Sequence, residues 1–139
     1  MFETGVYVKV QSAEFSQVTS KYIVMPQHAN PSGVMFGGVL IGWMDMAAAM
    51  VAEKHSGTDV ATVSIDKINF NSPIRVGDHV TVDAKLIATG KTSMKISVSV
   101  ESETVKAGIK KQTTDAIFTF VAVDKSMKPC HIPKLEESN

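Results

Sequence analysis

Between Gly37 and Ala52 the chain consists of Gly, Ala, Val, Leu, Ile, Met and Trp with one charge, Asp45. A helix that is apolar on every side has no face that gains from meeting water, so such a segment must be enclosed. An ionised carboxylate inside it is costly unless it is paired, hydrogen-bonded or used chemically. The preceding segment, Pro26-Gln27-His28-Ala29-Asn30-Pro31-Ser32-Gly33-Val34-Met35-Phe36, leads into Gly37-Gly38. Glycine lets the backbone approach a ligand closely at a helix start, where the N–H groups are unsatisfied. A helix start that tolerates an anion, with a carboxylate two turns further on, reads as an active site. The competing reading of Asp45 is a structural carboxylate held by backbone donors.

The 139 residues make one domain, large enough for a real core and too short for two ordinary ones. Fourteen basic and fourteen acidic residues cancel, so no net field draws nucleic acid or an anionic membrane. The apolar run is shorter than the roughly 20 residues that span a bilayer, and Asp45 interrupts it. The first residues, Met-Phe-Glu-Thr-Gly-Val, lack the basic start and long apolar stretch of a signal peptide. One cysteine, Cys130, cannot form an internal disulfide, which fits a reducing compartment. The expectation is a cytoplasmic protein with no membrane segment.

Strand signals surround the helix. Tyr22 to Met25 reads as a short strand stopped by Pro26. The helix is expected over about Gly37–Lys54, with Gly57 as terminator. Val60 to Phe70 is β-branched, with Val63 and Ile65 on one face and Thr62, Ser64 and Asp66 on the other. Val80, Val82, Ala84 and Leu86 alternate with polar residues. After Thr89-Gly90-Lys91 the pattern resumes with Met94, Ile96, Val98 and Val100, so the two runs predict an antiparallel hairpin with one wet face. Ala116 to Val123 is nearly continuously apolar and predicts a more buried strand. From Lys125 onward the chain is polar and is expected to trail over the surface. One helix cannot hide all its faces on one small sheet, so the pattern predicts a curved antiparallel sheet wrapped around it and a second subunit over the remainder.

These residues resemble the hotdog-fold acyl-CoA thioesterases, in the subgroup of small bacterial acyl-CoA hydrolases and the brain-type cytosolic hydrolase. The resemblance rests on residues 28–38, on Trp43-Met44-Asp45-Met46 and on Ile68-Asn69-Phe70. It continues through residues 73–78, 90–96 and 114–124, and covers about residues 20–125 in register, leaving 126–139 as a tail. It implies an α+β hotdog fold and hydrolysis of acyl-CoA to free fatty acid and coenzyme A. It also implies no metal or other cofactor, and assembly as a homodimer, commonly built into a trimer of dimers. Matched motif to motif, the family's catalytic pair falls on Asn30 and Asp45. The segment that commonly contacts the nucleotide falls on Lys91, Thr92 and Ser93, with Arg75 a weaker candidate. An ordinary solvated turn is the competing reading of that segment, and a simple turn residue is the competing reading of Asn30.

Thioester hydrolysis needs an activated water and a stabilised carbonyl oxygen. The Gly38 N–H, at the positive end of the helix dipole, suits the oxygen, with Gly37 beside it against the substrate; close packing alone is the other use of the pair. Asp45 suits the water, as general base, or attacks the carbonyl itself. Asn30 would hold the water or the thioester. Gly38 and Asp45 lie seven residues apart, roughly 10 Å along one helix, too far to share one carbonyl carbon. Two such helices antiparallel across a two-fold axis would bring Gly38 of one chain to Asp45 of the other. Thr62 and Ser64 either line the acyl pocket or sit on the wet face.

His28, His55, His79 and His131 show no metal-ligand spacing, and His28 is expected to order its loop. The alternatives are a hotdog dehydratase or hydratase, which would want a histidine in the site, and a non-catalytic acyl-CoA sensor, which would want a second module.

Overall fold

The computed structural model describes residues 16–135. In chain order the elements are β1 (Gln17–Ile23), α1 (Gly37–Ser56), β2 (Asp59–Phe70), β3 (His79–Thr89), β4 (Ser93–Thr104) and β5 (Ile109–Val123). The strands form one antiparallel sheet in the order β1-β3-β4-β5-β2. The strands flanking the helix in sequence thus occupy opposite edges, and α1 packs against all five.

The alternation in β3 and β4 places Val80, Val82, Ala84, Leu86, Met94, Ile96, Val98 and Val100 in the core. They meet Phe118 and Phe120 of β5 and Leu40, Met44, Ala47, Ala48, Val51 and Ala52 of the helix. The run of alanines lets the helix backbone approach the sheet closely, while the aromatic pair fills the far side. At its end, Gly57 adopts φ 69° and donates its N–H to the Glu53 carbonyl at 2.8 Å, a left-handed stop that glycine makes at least cost.

The sheet leaves part of the helix uncovered on the single chain, as the pattern predicts, and three other expectations are corrected. Gly38, Gly42, Met46 and Met50 form an exposed stripe four residues apart, with Asp45 and Ala49 half-buried beside it. One sheet covers only one side of a helix, and this stripe is what it leaves. β1 starts at Gln17 and ends at Ile23, because pairing of Gln17–Ile23 with Lys85–His79 extends it where apolar alternation is weak. β5 starts at Ile109, not Ala116, since its exposed first residues pair with Glu101–Thr104 of β4.

The tail from Lys125 does not trail. Cys130 N–H donates to the Ala122 carbonyl and Ile132 N–H to the Lys91 carbonyl, while Cys130, Ile132 and Leu135 pack against the core. These apolar residues outweigh their polar neighbours.

Candidate active site

The loop before the helix is organised by Asn30. Its Oδ1 accepts from Ser32 N–H (3.1 Å), Ser32 Oγ (2.9 Å) and Val34 N–H (3.0 Å). Its backbone N–H reaches the Val34 carbonyl at 2.9 Å, and Gly33, at φ 83°, closes the turn. One short amide oxygen thereby satisfies three donors in a segment too tight for ladder bonds. Its Nδ2 has no partner among the described residues and remains a donor. His28 orders this loop: its Nδ1 accepts from Met25 N–H at 3.0 Å. Its ring meets the edge of Trp43, which stacks on Tyr22 at 4.1 Å.

Phe36 is the N-cap of α1. The N–H groups of Val39 and Leu40 both turn to its carbonyl, at 3.2 and 3.3 Å, which leaves those of Gly37 and Gly38 outside the helical ladder. Gly38 is exposed and has open space at its Cβ position, whereas a Cβ on Gly37 would come 3.2 Å from the Phe70 ring. An unpaired, exposed N–H at the positive end of a 20-residue helix can stabilise a developing oxyanion. Beside it, Val34, Phe36, Gly37, Leu40, Phe70 and Ile74 enclose most of a largely apolar cleft of about 370 Å³.

Asp45 lies two turns along. Its Oδ1 accepts a hydrogen bond from Thr62 Oγ1 at 2.7 Å. The simple alternation of β2 puts Thr62 on the face opposite Ile65, and the structure overturns that. Thr62 pairs with Phe120 but Ser64 pairs with Thr119, so Val63 is an extra residue in the ladder. The bulge lets Thr62 and Ile65 both follow β5 residues that face the helix, Phe120 and Phe118, and pushes Val63 out to 60% exposure. Thr62 is the residue that period-two reasoning misplaces. No sequence signal marks the bulge, because Thr-Val-Ser-Ile suits an unbroken strand equally well.

Lys91 and Thr92 lie in the turn between β3 and β4, and Ser93 opens β4. Gly90 N–H bonds the Ser93 carbonyl at 2.8 Å, and a Cβ on residue 90 would come within 2.6 Å of Ser93 Oγ. Ser93 is aligned with Val121 and Ala61, and Met94 with Phe120 and Thr62. The turn therefore shares the end of the sheet that holds Thr62 and Asp45. Asn30, Gly37 and Gly38 lie toward the other end, where Phe70 aligns with Thr114 and Val100. Within one chain, Asp45 and Thr62 thus lie toward one end of the sheet, and Asn30, Gly37 and Gly38 toward the other.

A five-stranded antiparallel sheet packed on one long helix is the architecture of the hotdog-fold thioesterases. The Thioesterase superfamily matches residues 32–109 of this chain. An uncharacterised acyl-CoA thioester hydrolase of Zymomonas mobilis is 41% identical over 85% of this chain and 79% of its own length. The cytosolic acyl coenzyme A thioester hydrolase of Rattus norvegicus is 32% identical over 89% of this chain and 33% of the rat protein.

Among solved structures, an acyl-CoA hydrolase of Staphylococcus aureus in complex with butyryl coenzyme A is similar with TM-score 0.84. It is 33% identical over 92% of this chain and 78% of that one. Structures of that enzyme also exist with an aspartate, an asparagine or a threonine replaced by alanine. A hexameric acyl-CoA thioesterase superposes with TM-score 0.87 at 36% identity, over 94% of this chain and 85% of its own. The chain belongs to the acyl-CoA thioester hydrolases of the thioesterase superfamily.

Proposed function

We propose that this protein hydrolyses acyl-CoA to a free fatty acid and coenzyme A at composite sites, two per homodimer. The observation that carries the reading is the separation of the half-sites. Asp45 with Thr62 occupies one, and Asn30 with the Gly38 N–H occupies the other, roughly 10 Å apart along the helix axis. A second copy, antiparallel across the exposed Gly38-Gly42-Met46-Met50 stripe, brings unlike half-sites together and covers the stripe. Three of the similar structures are described as hexameric, which supports a trimer of dimers here.

In each site the Gly38 N–H holds the thioester oxygen as it gains charge, and Asn30 Nδ2 donates to the water or to the thioester. Asp45 of the partner activates the water. With Thr62 on Oδ1, Asp45 keeps Oδ2 for that task. Asparagine, aspartate and threonine are also the residue types replaced in the Staphylococcus aureus structures. The acyl chain enters the apolar cleft beside Gly37, whose volume falls within the roughly 300–1,000 Å³ of small-molecule sites. The nucleotide end meets Lys91, Thr92 and Ser93. No step requires a metal or cofactor. A cytoplasmic location accords with a cytosolic relative, and no helix among the described residues is long and apolar enough to cross a membrane. The whole chain, 1–139, is read as one hotdog domain.

Co-expression tests the composite site. Asn30→Ala and Asp45→Ala should each be nearly inactive alone. In mixed dimers one site carries both defects and the other none, so random pairing restores about one quarter of all sites. Mixed dimers that form and stay at the single-mutant floor would place the whole site within one chain.

A further inference from the structure

The segment after β5 is tied down by a set of bonds that converge on the β3–β4 turn. Ile132 N–H donates to the carbonyl of Lys91 at 3.0 Å, and Leu135 N–H to Thr89 Oγ1 at 3.3 Å. The carbonyl of Pro133, between them, lies 2.6 Å from Nε2 of His55. His55 sits in the last turn of α1 and is fully buried, an unusual position for a histidine without a structural or functional task. With Nε2–H donating to Pro133, Nδ1 is a buried acceptor lacking a donor, so the strap supplies the ring's one hydrogen bond among the described residues. On the other side of the turn, the Thr92 carbonyl accepts from Ala122 N–H at 2.9 Å. Both flanks of the turn are therefore pinned by main-chain bonds.

The bonds also fix what the strap presents. Lys134 lies between Pro133, bound to His55, and Leu135, bound to Thr89, and its side chain is exposed. Lys91 is exposed in the turn itself. Neither lysine makes an ion pair with a described residue; the pair among those residues, Lys110 with Glu101, lies at the far end of β4. Among the described residues the nearest acid in sequence is Asp124, which already spends Oδ1 on the N–H groups of Ser126 and Lys128, while Glu136 and Glu137, next in sequence after the strap, lie outside the described residues. Two ammonium groups without an ion pair among the described residues, on tethered backbone at the end of the sheet that holds Asp45, suit an anion that arrives with the substrate.

We infer that residues 130–135 are a strap that completes the coenzyme A site, holding the Lys91–Ser93 turn in place and adding Lys134 as a second cation for the nucleotide phosphates. The inference rests on the proposed encounter of coenzyme A with that turn. Lys134 is a binding residue, and His55 and Ile132 are positioning residues that act through the backbone of the turn. Neither touches the scissile bond, so the strap governs affinity and leaves the chemical step alone.

Lys134→Glu in the full-length protein tests the cation, and a chain ending at Cys130 tests the tethers. Two substrates are compared, an acyl-CoA and the matching S-acyl-pantetheine, which has the same thioester without the nucleotide. Coenzyme A binding is measured separately by calorimetry. Lys134→Glu should raise KM for acyl-CoA about three- to tenfold at low salt, with kcat unchanged and KM for acyl-pantetheine unmoved, and added salt should shrink the effect. The shortened chain should raise KM for acyl-CoA further. An unchanged KM and coenzyme A affinity in Lys134→Glu, or an equal rise for both substrates, would overturn the strap's role. Wild-type protein that binds coenzyme A in a Lys134-dependent way but hydrolyses neither thioester would sink the hydrolase reading and keep the strap. Should the shortened chain fail to fold, Lys134→Glu alone decides between these outcomes.

Discussion

Replacing Thr62 by valine removes one hydroxyl from the site at nearly constant volume, and what it removes can be stated from the geometry. Thr62 Oγ1 donates to Asp45 Oδ1 at 2.7 Å, a charge-assisted bond. Hydrogen bonds to charged groups contribute about 1.5–3 kcal/mol. If the bond serves to aim the carboxylate at water, its loss falls on the chemical step, as a drop in kcat of roughly 10- to 150-fold. Asp45→Asn sets the floor, with a loss on the order of 10²–10⁴ expected for a missing general base. Thr62→Ser keeps the donor and should keep most of the rate. The assay is thiol release from saturating acyl-CoA, followed with DTNB, on protein shown by circular dichroism and size exclusion to be folded and assembled. A cycle adds rigour: in the Asp45→Asn background, Thr62→Val should cost little more, because its target is gone. Folded Thr62→Val with wild-type kcat, or full additivity with Asp45→Asn, would refute the argument that Thr62 works through Asp45.

Activity should be indifferent to EDTA, since among the described residues no group of three His, Cys, Asp or Glu could hold a metal ion; loss on chelation that a divalent ion restores would show a missed ligand set. Val34→Phe, which narrows the cleft beside Gly37, should lower kcat/KM for long acyl chains while sparing acetyl-CoA, by up to about fourfold for each methylene excluded. An unchanged chain-length profile in the folded variant would remove the cleft from the acyl path.

Much of this architecture is legible in the sequence because it rests on local patterns. The β3 and β4 alternation marks its buried face residue by residue, and the apolar helix with its Gly57 stop is visible to within two residues at its far end. Gly38 and Asp45 stand out from local pattern alone, as an open helix start and a lone carboxylate in an apolar run, whereas Asn30 is reached only through the family resemblance and otherwise reads as a turn residue. What stays hidden depends on partners distant in sequence. The first half of β5 is polar and becomes a strand only because β4 offers a ladder. The tail docks because Ile132 and Leu135 find the core and His55 finds the Pro133 carbonyl, 78 residues away in sequence. Thr62 belongs to the same class: its face is decided by a bulge, and a bulge is a property of two paired strands.

That bulge also links the chemistry to assembly. β2 is an edge strand, and its outer edge is unpaired among the described residues. A long exposed edge invites pairing with another chain. The Val63 bulge lies on this edge, one residue beyond Thr62, and the helix stripe that holds Asp45 at its border is exposed on the same single chain. A second copy that covers edge and stripe would bury Val63 and Met46, which are 60% and 57% exposed. Dehydrating them would stabilise the proposed dimer through the hydrophobic effect. The same step would remove bulk water from the Asp45–Thr62 bond, where a lower dielectric strengthens the interaction. In such a dimer, binding energy between subunits would be used twice, to hold the assembly and to prepare the carboxylate. Residues too apolar for a monomer surface are, on this reading, part of the catalytic design.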